Sequence, residues 1–406
     1  MKKSVLLVAL SLATFAMTAQ QKQVASDSTK TQTLDEVLVQ SIRVKPNAPI
    51  THSNVTKAQL EPRNLGQDLP VLLNYLPSVV TTSDAGAGIG YTGIRVRGVS
   101  PLSTNITING IPYTDAESLG TFWVNLPDFS SSVESLQLQR GVGTSTNGSG
   151  AFGASINILT DATSEKSSAE ISNTFGSYNT RKHTVKFSTG KINDVFEVAG
   201  RLSQIKSDGY VDRAFSDLKS YFLQGTYNQN GTLIKALVFG GHEKTYQSWF
   251  GLTQEEIDQN RQQNPYTYDN EIDNYKQDHY QLHWNQKIDQ NWSTNLGLNY
   301  TFGRGYFEQF RTDDDVSTYG GIVEATGVDS NGTPVTDLIR RRWLDNDYYV
   351  VNATANYRDT ELDLTFGGSY SSYDGDHFGE VIWAKQFAEN ASIRDQYYFG
   401  NGKKTD

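Results

Sequence analysis

The sequence predicts a small α+β domain followed by an antiparallel transmembrane β-barrel, of which about ten strands are present against the roughly 22 of a wide, filled barrel. Three observations predict it. The chain opens with an export signal, its second half alternates strictly between apolar and polar residues, and every second connection between the alternating segments is short.

Met1-Lys2-Lys3 is a positive start, Val5 to Phe15 an apolar run and Ala16-Met17-Thr18-Ala19 a small-residue stretch, the layout of a secretory signal over 1–19 cleaved after Ala19. No stretch approaches the roughly 18 consecutive apolar residues of a membrane helix, and the mean hydropathy is -0.51. A membrane span in this chain is therefore built from strands. The 406 residues contain no cysteine, which excludes disulfides and thiolate chemistry, and a formal charge of -10 argues against a nucleic-acid partner.

Residues 20–32 are Gln, Ser, Thr and Lys with little to bury and read as a mobile leader. Thr33-Leu34-Asp35-Glu36-Val37-Leu38-Val39 is β-prone and apolar, punctuated by acids, suited either to adding as a strand to a partner's sheet edge or to opening the next domain. That domain has a helix candidate at Leu65 to Tyr75 and strand candidates at Gly93 to Val99, Asn105 to Ile108, Val133 to Gln139 and Ala154 to Leu159, with Asn109-Gly110 as a turn signal. Asp161 to Ser167 breaks the pattern and marks its end.

Beyond that break, Trp292, Thr294, Leu296, Leu298, Tyr300 and Phe302 share one face, and Ser293, Asn295, Gly297, Asn299, Thr301 and Gly303 the other. Tyr280, Leu282 and Trp284 oppose His279, Gln281, His283 and Asn285 in the same way. Ten such segments begin near Ala169, Arg181, Val195, Lys219, Thr232, Lys276, Trp292, Asn346, Glu361 and Ser392. The short connections are Gly190 to Asp194, Asn228 to Gly231, Lys287 to Asn291 and Arg358 to Thr360. The long ones are Lys206 to Asp217, Thr245 to Asn274, Gly305 to Asp345 and Asp374 to Ala391. Short turns on one rim and long loops on the other characterise outer-membrane barrels, so the expected location is the outer membrane of a Gram-negative cell. Ten strands make a ring too narrow for an inserted domain, so the expectation is a fragment whose wall is unfinished.

Taken in order, the segments resemble the TonB-dependent outer-membrane receptors over the whole chain: signal, TonB box at 33–39, plug domain at 40–161, and the first part of the barrel at 168–406. The resemblance is carried by Thr33 to Val39, Leu65-Gly66-Gln67-Asp68-Leu69-Pro70 with Leu76-Pro77-Ser78-Val79, Ile94-Arg95-Val96-Arg97-Gly98, Ile108-Asn109-Gly110-Ile111-Pro112, and the run from Arg140-Gly141-Val142-Gly143 to Thr160. Arg341-Arg342-Trp343-Leu344-Asp345-Asn346-Asp347 adds a Bacteroidetes-type wording, while Gln40-Ser41 departs from the commoner small polar pair after the box.

The resemblance implies active import. Thr33, Leu34, Asp35, Glu36, Val37, Leu38 and Val39 would bind TonB, which works with ExbB and ExbD, and the wall would meet lipid and lipopolysaccharide. Arg95, Arg97 and Arg140 are candidate plug-to-wall contacts, with the plug's own solvated surface as the alternative. Tyr91, Tyr113, Trp249, Arg340, Arg341 and Arg342 are candidate ligand residues, since arginine beside aromatics suits an anionic chelate; anchoring lipopolysaccharide phosphates is the other use of those arginines. The family's commonest cargo makes a ferric siderophore or ferric citrate the expected ligand, with cobalamin, haem or a glycan as alternatives. A passive porin or adhesin, or an exported hydrolase, are the competing classes; no nucleophile, base and orienting group assemble, so no enzyme is expected. No cofactor and no metal site is expected either. Gly86 to Gly93 neither follows an apolar strand nor opens a helix, as a nucleotide loop would. His279 and His283 lie two pleats apart on the wet face, where solvated lumen residues are expected, and Asp313-Asp314-Asp315 lacks the spaced oxygens of a calcium loop.

Overall fold

A computed structural model describes residues 43–44, 49–142, 152–161 and 163–405. The segments read as signal, leader and TonB box, and residues 143–151 of the glycine-rich run, lie outside them. All described residues fall in one compact unit. Its first part contains β1 (His52–Thr56), α1 (Lys57–Leu60), α2 (Leu69–Leu72), β2 (Val79–Ser83), β3 (Thr92–Val96), β4 (Thr104–Ile108), β5 (Ile111–Pro112), β6 (Val133–Arg140) and β7 (Ala154–Thr160). Five of the strands form one sheet in the order β1-β6-β7-β4-β5, with β4 and β7 parallel, and β2 pairs with β3 alone. Strands β4 and β7 are buried along their whole length, as their Ile-rich sequences favour. Ile106, Ile108, Leu136, Leu138, Ile156 and Ile158 are at most 1 % exposed; each contributes on the order of 1.5–3 kcal/mol by leaving water.

The turn between β4 and β5 needs its particular residues. Asn109 and Gly110 both have positive φ, 53° and 82°, and Ile108 pairs with Ile111 across them, the two-residue hairpin loop that Asn-Gly favours. The Asn109 side chain then ties the turn to β7 through Thr160. The helix expected over Leu65 to Tyr75 is only the four residues of α2. Gly66, at φ 120°, cannot be helical, Asp68 is extended and precedes the first turn, and the Leu76-Pro77 pair excludes continuation.

Asp68 is buried there and accepts a hydrogen bond of 3.0 Å from Thr92. Burial pushes its carboxyl up to about 8, against the hydrogen bonds from Thr92 and Gly90. The folded value lies above the unfolded one, so the group's contribution to stability is complete below about pH 4 and is lost as pH rises through the folded value. The thermal midpoint of the wild type should therefore fall relative to that of Asp68→Asn between about pH 5 and about pH 8; parallel pH profiles would contradict this.

The second part is an antiparallel sheet: β8 (Ser168–Phe175), β9 (Arg181–Ser188), β10 (Phe196–Ser207), β11 (Ser216–Gln229), β12 (Thr232–Tyr246), β13 (Ile272–Lys287), β14 (Trp292–Asp315), β15 (Gly327–Val328), β16 (Pro334–Arg358), β17 (Asp363–Ala384) and β18 (Gln396–Thr405). The path β8 to β18 is sequential, with the short β15 on the side of β16. Its ten long strands are the ten alternating segments. From β10 onward the connections are long and short in turn, as the spacing predicts, whereas the first two, 176–180 and 189–195, are alike; a helix, α3 (Gln254–Gln259), sits in the loop between β12 and β13.

Burial across this sheet is the reverse of that in a water-soluble protein. Tyr280, Leu282 and Trp284 are 40–45 % exposed, while His279, Gln281, His283 and Asn285 are at most 5 % exposed. An apolar outer face with a covered polar inner face suits lipid outside. The polar face is covered by the first domain, so His279 and His283 are not the solvated lumen residues expected of them. His279 stacks on Phe239 with ring centres 4.6 Å apart and meets Thr301 at 2.9 Å.

Two expected loops are largely strand: the predicted connection 374–391 belongs to β17 as far as Ala384, and the longer one before it behaves alike. Residues 305–345 read as a connection, but β14 continues to Asp315 and β16 begins at Pro334, paired from Arg311/Leu338 down to Trp292/Tyr357. Ladder hydrogen bonds do not require an apolar face, and where both faces mix polar and apolar residues, as Phe307, Glu308, Gln309 and Phe310 do, the period-2 signal that marks a strand disappears.

Candidate functional site

Contacts between the domain and the wall form a polar seam. Asp128, at 2 % exposure, precedes a short 3₁₀ turn and places its carboxylate 2.6 Å from the Lys182 Nζ of β9 and 3.9 Å from the Arg201 guanidinium of β10. Ser131, Ser203 and Thr184 donate to it at 2.6–2.7 Å. Burial pushes this carboxyl upward, but Arg201 and Lys182 outweigh it and hold it well below the usual carboxylate range. Further along, Lys235 reaches the Asp161 carbonyl at 2.9 Å, Gln224 the same carbonyl at 3.1 Å, and Asn352 the Gly110 carbonyl at 2.8 Å.

The arginines predicted for this seam do not form it. Arg140 donates to the Pro77 carbonyl and to Ser53, both in its own domain, at 3.0 Å. Arg95 and Arg97 are exposed, and among the described residues neither pairs with a wall carboxylate. Arg95 sits on a hairpin strand whose partner is β2, which turns it to the domain's surface.

A cavity of about 370 Å³ opens between the segment Pro112 to Ser118 and the inner faces of β12, β13, β14, β16 and β17. Aromatic rings supply much of its wall, among them Tyr91, Tyr113, Tyr275, Tyr306, Phe307 and Tyr373. Tyr91 donates its hydroxyl to Asp273, and Tyr113 meets Gln277 at 3.3 Å. Burial, and then Asp273 for Tyr91 and Tyr275 for Tyr113, pushes both phenols well above their ordinary value, which keeps them protonated hydrogen-bond donors.

Of the six predicted ligand residues, Tyr91, Tyr113 and Arg342 line this cavity. Trp249 stands one layer behind, edge-on to Tyr91 at 5.6 Å and to Phe307 at 5.7 Å. Arg340 is held by Asp314 at 3.3 Å and Tyr319 at 2.9 Å, and Arg341 by Glu308 at 2.8 Å. Strand alternation separates Arg341 from its neighbours, and nearby acids occupy both side chains. Sequence reasoning missed the carboxylates: Asp115, Glu117, Glu243 and Asp273 all line the cavity. Glu117 is fixed by His377 at 2.8 Å and Tyr373 at 3.1 Å. Their one sequence signal is position: Asp115 and Glu117 follow the Asn-Gly hairpin, and Glu243 and Asp273 flank a long loop.

Residues 45–155 match the family model described as TonB-dependent Receptor Plug Domain. The chain is 29 % identical over 182 residues to the Vitamin B12 transporter BtuB of Vibrio vulnificus, a match covering 44 % of this chain and 29 % of that protein. It is 26 % identical over 236 residues to the Probable TonB-dependent siderophore receptor PirA of Acinetobacter baumannii, covering 55 % of this chain and 29 % of that protein. The matched part thus spans less than a third of these relatives. In fold it is similar to the siderophore receptor PiuA from Acinetobacter baumannii, with a TM-score of 0.61 and 13 % identity over 96 % of this chain and 56 % of that one. The ferric citrate transporter FecA in the unliganded form gives a TM-score of 0.58 and 16 % identity over 85 % and 51 %.

Proposed function

The chain is that of a TonB-dependent receptor, with its plug domain and leading wall strands, and from this premise we propose that it imports a small molecule across the outer membrane at the expense of TonB. The observation that carries this reading is the seam: a plug domain seated on the polar face of a wall whose other face is apolar. A passive porin has no use for such a domain. In this reading 1–19 is a cleaved export signal, 40–161 the plug and 168–406 wall. Thr33 to Val39 is the segment that TonB, energised with ExbB and ExbD, pairs with and pulls. The wall meets lipid on its apolar side and lipopolysaccharide at its long-loop rim.

The cargo of this proposal is an iron chelate. Its support is the siderophore and ferric citrate receptors among the similar proteins, together with a cavity of small-molecule size between plug and wall. Deleting Leu34 to Val39 in the whole receptor should abolish uptake while membrane insertion and ligand binding persist. Uptake that survives the deletion would favour a passive barrel. Growth on defined iron sources after gene deletion tests the cargo: intact iron uptake with lost cobalamin, haem or glycan uptake would replace the iron chelate by that ligand.

A further inference from the structure

The charge of the cavity is opposite to that expected from the arginine cluster. Among the described residues four carboxylates line it, from Asp115, Glu117, Glu243 and Asp273, against the one guanidinium of Arg342, and Glu117 is paired with Lys404 at 3.4 Å. That guanidinium lies over aromatic faces, 3.8 Å from the Phe399 ring centre and 5.6 Å from that of Phe307, and is one positive charge among more numerous acids. The two histidines on the lining are engaged as well, His377 with Glu117 and His279 with Thr301 and Gln277.

Glu243 is the informative group. It is 2 % exposed, faces the cavity from β12, and its Oε2 has no hydrogen-bond partner among the described residues. Register places Glu243 opposite Tyr275, so it lies diagonally across from Asp273 on the same inner face. Two carboxylates so placed repel, and a buried acceptor without a donor is costly. A cationic donor in the cavity relieves both penalties at once. The surrounding rings favour the same guest, because a cation over a phenol or phenyl face is attracted to it.

Resting on the import reading, we propose that this cavity takes the ammonium end of the ligand, so that the cargo is a chelate bearing a free amine and not a polyanion such as ferric citrate. Glu243 and Asp273 receive the ammonium, Asp115 sets the field at the mouth, and the Tyr91, Tyr113 and Tyr275 rings hold the apolar stem behind it.

The test uses the whole receptor in detergent and three probes: a linear ferric trihydroxamate with one free ammonium group, the same chelate with that amine acetylated, and ferric citrate. Quenching of tryptophan fluorescence, to which Trp249 beside Tyr91 contributes, reads binding. The ammonium chelate should bind about tenfold more tightly than its acetylated twin, the difference expected of one charge-assisted hydrogen bond. Glu243→Gln should bring the ratio close to one. Asp115→Asn, at a partly exposed turn, gives a second variant should the buried substitution misfold, and it should lower the ratio in part. Equal binding of the twins, no binding of the ammonium chelate, or tighter binding of ferric citrate would overturn the proposal. None of these outcomes depends on energy coupling, whereas uptake surviving deletion of Leu34 to Val39 would overturn the import reading and leave the ammonium preference standing.

Discussion

Replacing Asp128 by Asn should loosen the plug from the wall by about 3–5 kcal/mol, the cost of breaking a buried ion pair from one side. Asn is chosen because Asp128 sits at φ 53°, ψ 24°, a left-handed conformation that Asn tolerates nearly as well, so the substitution isolates the charge. What remains is worse than a lost contact. Lys182 and Arg201, each with a side chain 2 % exposed, then lose the one carboxylate within 4 Å of either among the described residues. Lys182 keeps the Asn64 carbonyl and side-chain oxygen at 3.3 and 2.9 Å, which soften the penalty without cancelling charge. The measurement is the thermal midpoint of the whole receptor together with the rate at which protease cuts the plug. A second substitution, Lys182→Met, should restore part of the loss, because a neutral pair of similar volume removes the unpaired charge. The carboxyl is held below its unfolded value, so its contribution is complete above the ordinary carboxylate range near about pH 4 and is lost as pH falls below it. Acid should therefore loosen the wild-type plug more than the Asn variant. A variant within about 0.5 kcal/mol of wild type would show that the pair contributes nothing net.

The wall was legible because its physics is periodic. A strand between lipid and a polar interior must alternate, so the segments from Ala169 to Ser392 announced themselves and their spacing gave the loop asymmetry. Periodicity says which face is polar but not what covers it, and so His279 and His283 read as wet although the plug buries them. It also fails where both faces mix polar and apolar residues, which hides the outer ends of β14, β16 and β17 and leaves Arg340 to Arg342 reading as a loop cluster. In the plug, local chemistry was a good guide where it was strong, as at Asn109-Gly110, and poor where one residue vetoed a pattern, as Gly66 does for the helix. The site was harder. Arg95, Arg97 and Arg140 stand out in the sequence as cations beside a family motif, yet residue type carries no information about partners far along the chain. The pairing that forms joins residue 128 to residues 182 and 201. The cavity's carboxylates are equally scattered, between positions 115 and 273, and only the register of β12 with β13 brings two of them together.

Gly241→Val should unseat the plug from the opposite side of the same seam. Gly241 lies on the inner face of β12, two residues after Phe239, which packs into the plug's core, and two before Glu243. A Cβ there would stand 2.5 Å from the Asn125 carbonyl oxygen and 2.7 Å from Pro127 Cδ. The nearest of these atoms is backbone, in the 3₁₀ turn Trp123–Asn125, which is buried throughout, so neither side has a flexible group that can yield. Val suits a strand, and the wall itself should accept it. The strain, typically 1–3 kcal/mol for overpacking and more against fixed backbone, then falls on the contact between plug and wall. Gly225→Val on β11 is the control: its Cβ would meet nothing within 4 Å. Cells carrying Gly241→Val should admit large antibiotics that the outer membrane normally excludes, and the plug should be cut faster by protease, while Gly225→Val behaves as wild type. Matching permeability and protease resistance in both variants would mean that the wall, not the plug, absorbs the added side chain. Because Pro127 precedes Asp128 and its carbonyl accepts a 2.6 Å hydrogen bond from Ser220, the two substitutions act on one contact. Their combined effect should accordingly be smaller than the sum of the separate ones, since a seam already opened by the wedge has less to lose with its ion pair.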